Sequence, residues 1–288
     1  MAFNVATFKT RALTAVIFVV VMLAGLLWNA WSFLLHFTII HFGCWYEFQR
    51  LIAKIDPGYK DISSFHKWGI VLAGYGLMLW MTLDKFTILN FRLEELGWWF
   101  LLIGALVIPI GEILFSKNFS LTSILYSLAG LLYISFSWGC MMQLRGDDFL
   151  DMGWIIPMLL IASIWINDTM AYIVGSFIGK TPLSPISPKK TWEGTIGGAI
   201  LCIVVVTTVG YFVLGMTEYI SLIVVSGIAA VMGTLGDLLE SKLKRMAGIK
   251  DSGSFMPGHG GFLDRFDSLL LATPFVWVYF TFIQKLLY

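Results

Sequence analysis

Stretches of about 20 apolar residues, each long enough to cross the hydrocarbon of a bilayer, follow one another through almost the whole of this chain. They fall at 68–84, 97–115, 121–143, 154–178, 195–214, 219–240 and 268–287, and a longer run covers 12–48. That run is too long for one crossing, and Asn29 near its middle divides it in two. The pattern predicts an all-α, polytopic transmembrane helical bundle of about nine spans. Composition agrees. Hydrophobic residues make up 58% and charged residues 13%, where soluble domains carry about 25% charged residues. Lipid must be the solvent for most of this surface. The apolar stretch behind Lys9 and Arg11 has no convincing small-residue cleavage site and reads as a retained span, not a removed signal. Cys44, Cys140 and Cys202 lie in apolar segments without CxxC spacing, which argues against a disulfide framework or a zinc site. No internal repeat is visible.

Orientation follows from where the basic residues fall. With the N-terminus in the cytoplasm, fifteen of the 19 Lys and Arg lie inside, and Lys85, Arg92, Arg145 and Lys285 lie outside. The C-terminus is then outside, and the chain is expected in the cytoplasmic (inner) membrane as a multi-pass protein. The assignment depends on the break at Asn29, because a single tilted helix over 12–48 would put the N-terminus outside. Two regions are expected: 1–150 with about five spans, and 151–288 carrying the cytoplasmic motif loops. The net charge of +1 gives no sign of a nucleic-acid partner, and none is expected.

Three long polar connectors face the cytoplasm in this topology, and two of them carry the chemistry. Residues 241–268 read SKLKRMAGIKDSGSFMPGHGGFLDRFDS, with five basic residues, three aspartates, one histidine and five glycines. Upstream, Asp237 and Glu240 stand near the end of an apolar helix. Asp237, Ser241 and Lys244 recur at helical spacing and share a face. Asp264 and Asp267 are one turn apart if the next helix begins there, so carboxylates from two helix ends are expected to come together. Clustered carboxylates repel one another unless a cation joins them. Mg²⁺ takes one or two carboxylates with phosphate oxygens and water, while Lys and Arg neutralise the remaining phosphate charge. The run Gly258-His259-Gly260-Gly261 lets backbone N–H groups approach an anion closely. A solvated loop that merely sets topology accounts for the basic residues one by one, but not for aspartates beside so many glycines.

A second cluster, IWINDTMAYIVG, puts Asn167 and Asp168 inside an apolar span. An ionisable residue there costs at least about 2.5 kcal/mol on insertion scales and is a functional candidate. The competing role is an interhelical hydrogen bond. Tyr172 follows one turn later on the same face. The third cluster is Ser187 to Thr195, SPKKTWEGT. Thr191 is placed to cap the following helix, whose positive end favours phosphate. Lys189 and Lys190 are placed for phosphates or for positive-inside anchoring. Glu193 beside them is an ion-pair partner, a metal ligand or neither. His36, His41 and His66 read as structural, Asp147, Asp148 and Asp151 as a solvated turn, and Glu112 as buried with no evident role.

The stretch Ser241 to Asp267, with K-D-x-G, P-G-H-G-G-F and D-R-F-D in step, resembles the C-terminal motif of the phosphatidate cytidylyltransferase family. NDTMAY and SPKKTWEGTIGG are similar to that family's middle motifs. The resemblance is strong over 165–268 and one of hydropathy over 1–150. Asn167, Thr169 and Met170 depart from the commoner residues, while Asp168 and Tyr172 remain. The resemblance implies an integral membrane homodimer that joins CTP to phosphatidate, releasing pyrophosphate and CDP-diacylglycerol. It implies a Mg²⁺ site associated with a monovalent cation, K⁺, and maps the ligands onto Asp237 and Asp264. Asp267 and Asp168 would support them. Lys244, Arg245, Lys250, Arg265, Lys189 and Lys190 are the candidate phosphate contacts, and His259 with Gly260 and Gly261 would shape the triphosphate pocket. Two other readings compete. A related CTP-dependent lipid cytidylyltransferase or polyprenol kinase differs in its products. An ion-coupled transporter would use Asp168 as its ion site, but no inverted repeat is evident.

Overall fold

The computed structural model describes residues 5–82, 86–115, 120–146, 153–255 and 260–283, with side chains from residue 12 onward except that of Phe115. The chain divides into two compact units. The first comprises Met1–Asp147 with Met246–Phe266, and the second Asp148–Arg245 with Asp267–Tyr288. Residues 246–266 thus belong with the N-terminal half.

In the first unit, α1 (Val5–Leu27) and α2 (Ala30–Ile55) are separated at Asn29. The Asn29 side chain accepts from the Ser32 N–H at 2.8 Å, and Ser32 Oγ accepts from the Asn29 N–H at 3.0 Å. This capping box satisfies helix-start donors that α1 cannot reach, and it is the physical reason that 12–48 is not one helix. A short 3₁₀ turn, Pro57–Lys60, leads to α3 (Ser64–Trp80). The hairpin of β1 (Thr87–Ile88) and β2 (Phe91–Arg92) then precedes α4 (Leu93–Phe115). α5 (Leu121–Gly130) runs through a π-helical segment, Leu131–Phe136, into α6 (Ser137–Gly146). The core sits around α2, where Phe33, Phe37, Cys44 and Trp45 are fully buried beside Trp138 and Met141.

In the second unit, α7 (Ile155–Ile178) is followed by a hairpin of β3 (Pro182–Ser184) and β4 (Ser187–Thr191). Then come α8 (Trp192–Thr208), extended by π turns to Val213, and α9 (Tyr219–Met246). α10 (Leu263–Val278), extended by π turns to Ile283, starts in the first unit and continues in the second. α7 and α8 meet along small residues: a Cβ on Gly194 would lie 2.8 Å from the Ala171 carbonyl, and one on Gly198 2.6 Å from Ala171 Cα. Small residues let membrane helices approach closely where apolar burial gives no net drive.

Among the described residues, nine long helical segments fall on the nine expected stretches. Six of them are long and apolar enough to cross a membrane: Leu93–Leu114, Leu121–Gly146, Ile155–Ile178, Trp192–Val213, Tyr219–Met246 and Leu263–Ile283. They turn large apolar side chains outward, among them Ile113, Leu132, Phe177, Val204 and Phe212. Large apolar side chains turned outward along helices of membrane length are lipid-facing. The molecule is a helical, multi-pass membrane protein.

Candidate active site

The glycine-rich stretch is organised by two carboxylates in the first unit. After α9 the backbone turns at Gly248 and reaches α10 at Leu263. Asp264, in the first turn of α10, accepts three hydrogen bonds on one oxygen, Oδ2. The donors are the backbone N–H groups of Ser252 and Gly261, each at 2.8 Å, and the Ser252 hydroxyl at 2.9 Å, whose one proton is shared with the second carboxylate. Gly260 has φ +83° and a Cβ there would press on the Asp264 carboxylate, so only glycine suits this bend.

The second carboxylate is Glu47, which the sequence reading did not single out. It projects from α2, is 3% exposed, and its Oε2 accepts from Ser252 Oγ at 2.7 Å and from the Leu263 N–H at 2.9 Å. Both acids therefore sit at the N-terminus of α10, where unpaired N–H groups and the helix dipole favour negative charge. One turn earlier on α2, Gly43 makes room for the Phe262 ring, on which Phe255 stacks at 4.1 Å. The only sequence signal for Glu47 is an acid within an apolar helix. Its partners lie more than 200 residues away, and Arg50 close by makes it look like an interfacial charge.

The second unit holds a cluster of the opposite kind. Lys190, on β4, contacts Asp237 of α9 with Nζ 2.7 Å from Oδ2. Asp168 of α7 feels the charges of Lys190 and Asp237, and Asp267 of α10 feels those of Asp237, Lys190 and Lys244. Gly236 allows this: a Cβ there would overlap the Asp267 carbonyl, so α9 and α10 touch backbone to backbone beside the two acids. Thr191 caps α8 as its position suggests, accepting from the Gly194 N–H at 3.1 Å. Glu193 is neither ion-paired to its lysine neighbours nor placed among the acids. It takes the Lys180 N–H at 3.1 Å and the Thr181 hydroxyl at 2.8 Å, closing the base of the hairpin.

The remaining sequence candidates divide. Asp237 and Lys244 share a helix, but Lys244 pairs with the fully buried Glu240 one turn away, not with Asp237. Asp264 and Asp267 are one turn apart yet serve different partners, the loop and α9. Lys189, Arg245, Lys250 and Arg265 are exposed, as are Asp168 and Tyr172. His259 lies outside the described residues, as do Pro257, Gly258 and the Asp147, Asp148 and Asp151 turn. The three histidines read as structural have side-chain partners: His36 with Met22, His41 with Ser135, and His66 with Ser127. Glu112 gains a role, since it lies 3.2 Å from His66 Nδ1 and accepts from Ser63 Oγ.

The donor set suits a hard cation carried by a phosphate ligand. Among the described residues, no three His, Cys, Asp or Glu side chains stand close enough to enclose a metal by themselves. Mg²⁺ does not require that, because it binds through one or two carboxylates and completes its shell with water and phosphate oxygens. In the second unit, Asp237 contacts Lys190, and Asp168 and Asp267 lie within electrostatic reach of that pair; acids gathered in this way favour an added cation.

The sequence profile of the cytidylyltransferase family matches residues 9–283. A phosphatidate cytidylyltransferase of Bacillus subtilis is 34% identical over 203 residues, covering 70% of this chain and 75% of that protein. One from Staphylococcus saprophyticus is 32% identical over 274 residues, covering 92% of this chain and 96% of its own.

Proposed function

Because this chain belongs to the cytidylyltransferase family, we infer that it is a membrane-embedded nucleotidyltransferase making CDP-diacylglycerol from CTP and phosphatidate. The observation that carries the reading is the pairing of acids with lysine around Asp237, on a helix that opens from apolar membrane into polar loop. A phosphate oxygen of phosphatidate attacks the α-phosphorus of CTP. A new P–O bond forms, the bond to the β-phosphate oxygen breaks, and pyrophosphate leaves. A phosphomonoester is already anionic near neutral pH, so the reaction needs no strong general base. Its barrier lies in bringing anions together and in the charge that builds on the leaving group.

Asp237 and Asp264 are the proposed Mg²⁺ ligands, with Asp168 and Asp267 adding negative potential. When bound, the ion would neutralise phosphate charge and align the leaving group. A K⁺ companion is part of the same proposal. Lys190 is the lysine in contact with Asp237, and Lys189, Lys244, Arg245, Lys250 and Arg265 are the remaining candidate phosphate contacts. Gly260, Gly261 and His259 belong to the proposed triphosphate loop. The lipid would keep its acyl chains in hydrocarbon while its headgroup reaches the polar layer.

Nine spans, a cytoplasmic N-terminus, the inner membrane and a homodimer complete the proposal. The basic-residue asymmetry supports the orientation. Purified protein incubated with labelled CTP, phosphatidate and Mg²⁺ should yield a labelled lipid and pyrophosphate. Release of CDP with a phosphorylated lipid would make the protein a kinase and overturn the reading.

A further inference from the structure

Glu47 is an expensive way to hold a loop. Its carboxylate is almost fully buried, and an apolar side chain of similar size would pack α2 against the loop without the desolvation penalty of an ion. What a carboxylate adds is direction. One oxygen receives both the Ser252 hydroxyl and the Leu263 N–H, which fixes the loop at its entry and at its junction with α10. Gly253 and Gly261 close on the same carboxylate, and a Cβ on either would overlap Glu47 oxygens. The loop is thus laid over one buried acid from several sides.

Two of these contacts also reach Asp264. The Ser252 hydroxyl lies between Glu47 Oε2 and Asp264 Oδ2, and Gly261, pressed on Glu47, donates its N–H to Asp264. A displaced Glu47 therefore moves the donors that orient Asp264.

We propose that Glu47 is a positioning residue for nucleotide binding: through Ser252, Gly261 and Leu263 it sets the shape of the glycine-rich loop and the aim of Asp264, without itself touching CTP. The inference rests on the nucleotidyl-transfer reading above, and deepens it by assigning triphosphate affinity to a residue on α2. A merely cohesive role would weaken both substrates and the fold alike. A positioning role is selective for CTP.

The test uses the full-length chain purified in a lipid nanodisc, with CTP and phosphatidate varied separately. Glu47→Ala should raise KM for CTP at least tenfold and leave KM for phosphatidate within twofold. Glu47→Gln should recover most of the loss, since an amide oxygen accepts the same two donors. Gly261→Ala, which leaves Glu47 in place but crowds it, should reproduce the CTP defect even if Glu47→Ala folds poorly. Hydrogen exchange at 247–255 and 260–263 should accelerate in Glu47→Ala while Leu93–Leu114 stays as in wild type.

Equal losses for both substrates with a lowered Tm, or unchanged CTP kinetics in both Glu47→Ala and Gly261→Ala, would overturn the proposal. So would a glutamine variant as impaired as alanine, because that would assign the effect to charge. Wild-type protein that consumes no CTP would defeat the functional reading, whereas unchanged exchange in Glu47→Ala would defeat the tether alone.

Discussion

In the first unit, among the described residues, the hydrogen bonds to Asp264 and Glu47 come from neutral donors: backbone N–H groups and one serine hydroxyl. In the second, Asp237 is met by a lysine ammonium, with Asp168 and Asp267 close by. Neutral donors built into a backbone fix geometry and leave the negative charge in place. A lysine on a flexible stem cancels charge but is free to turn toward another anion. The first arrangement suits a residue whose position matters. The second suits a group that exchanges partners as phosphates and cations arrive.

The largest expected effect breaks the charge and keeps the shape. Asp264→Asn retains an acceptor oxygen for Ser252 and Gly261 but loses the negative charge, and it should lower kcat/KM at least about 100-fold with an unchanged Tm, the scale of losing one transition-state electrostatic contact. Wild-type turnover in that variant would reduce Asp264 to a loop tie. Chelation by EDTA should silence the wild type, with Mg²⁺ restoring it. On the other side of the comparison, Lys190→Ala should lower kcat/KM by about 10- to 100-fold, as expected for one charge-assisted contact. Lys190→Arg should keep more than alanine does. Ser252→Ala should cost least, about 1 kcal/mol or roughly fivefold, seen as a small rise in KM for CTP. If Ser252→Ala exceeded Lys190→Ala, the contrast between fixed and exchangeable partners would fail.

The helices were readable because their signals are local. Apolar runs of membrane length, a polar break at Asn29 and a capping residue at Thr191 each act within a few positions, and the structure follows them. The motif loops were readable as compositions that have no reason to exist in a simple connector. Their partners were not. Glu47 meets Ser252 and Leu263 across most of the chain, and nothing in its neighbourhood announces it. Helical spacing put Asp237 and Lys244 on one face, but did not say that Lys244 would turn to Glu240 and Asp237 to Lys190 on a hairpin. Spacing predicts which residues can share a face. Which of them pair depends on the element packed opposite, and that information is spread over distant segments.

The β3–β4 hairpin adds one consequence. Neighbouring residues on a strand point to opposite sides, so the twin lysines at 189 and 190 cannot grip a single phosphate side by side. Lys190 reaches Asp237 and Lys189 is exposed. The doublet is a division of labour: one ammonium answers to Asp237, and its twin is left for whatever approaches from outside, so neither can stand in for the other when it is lost.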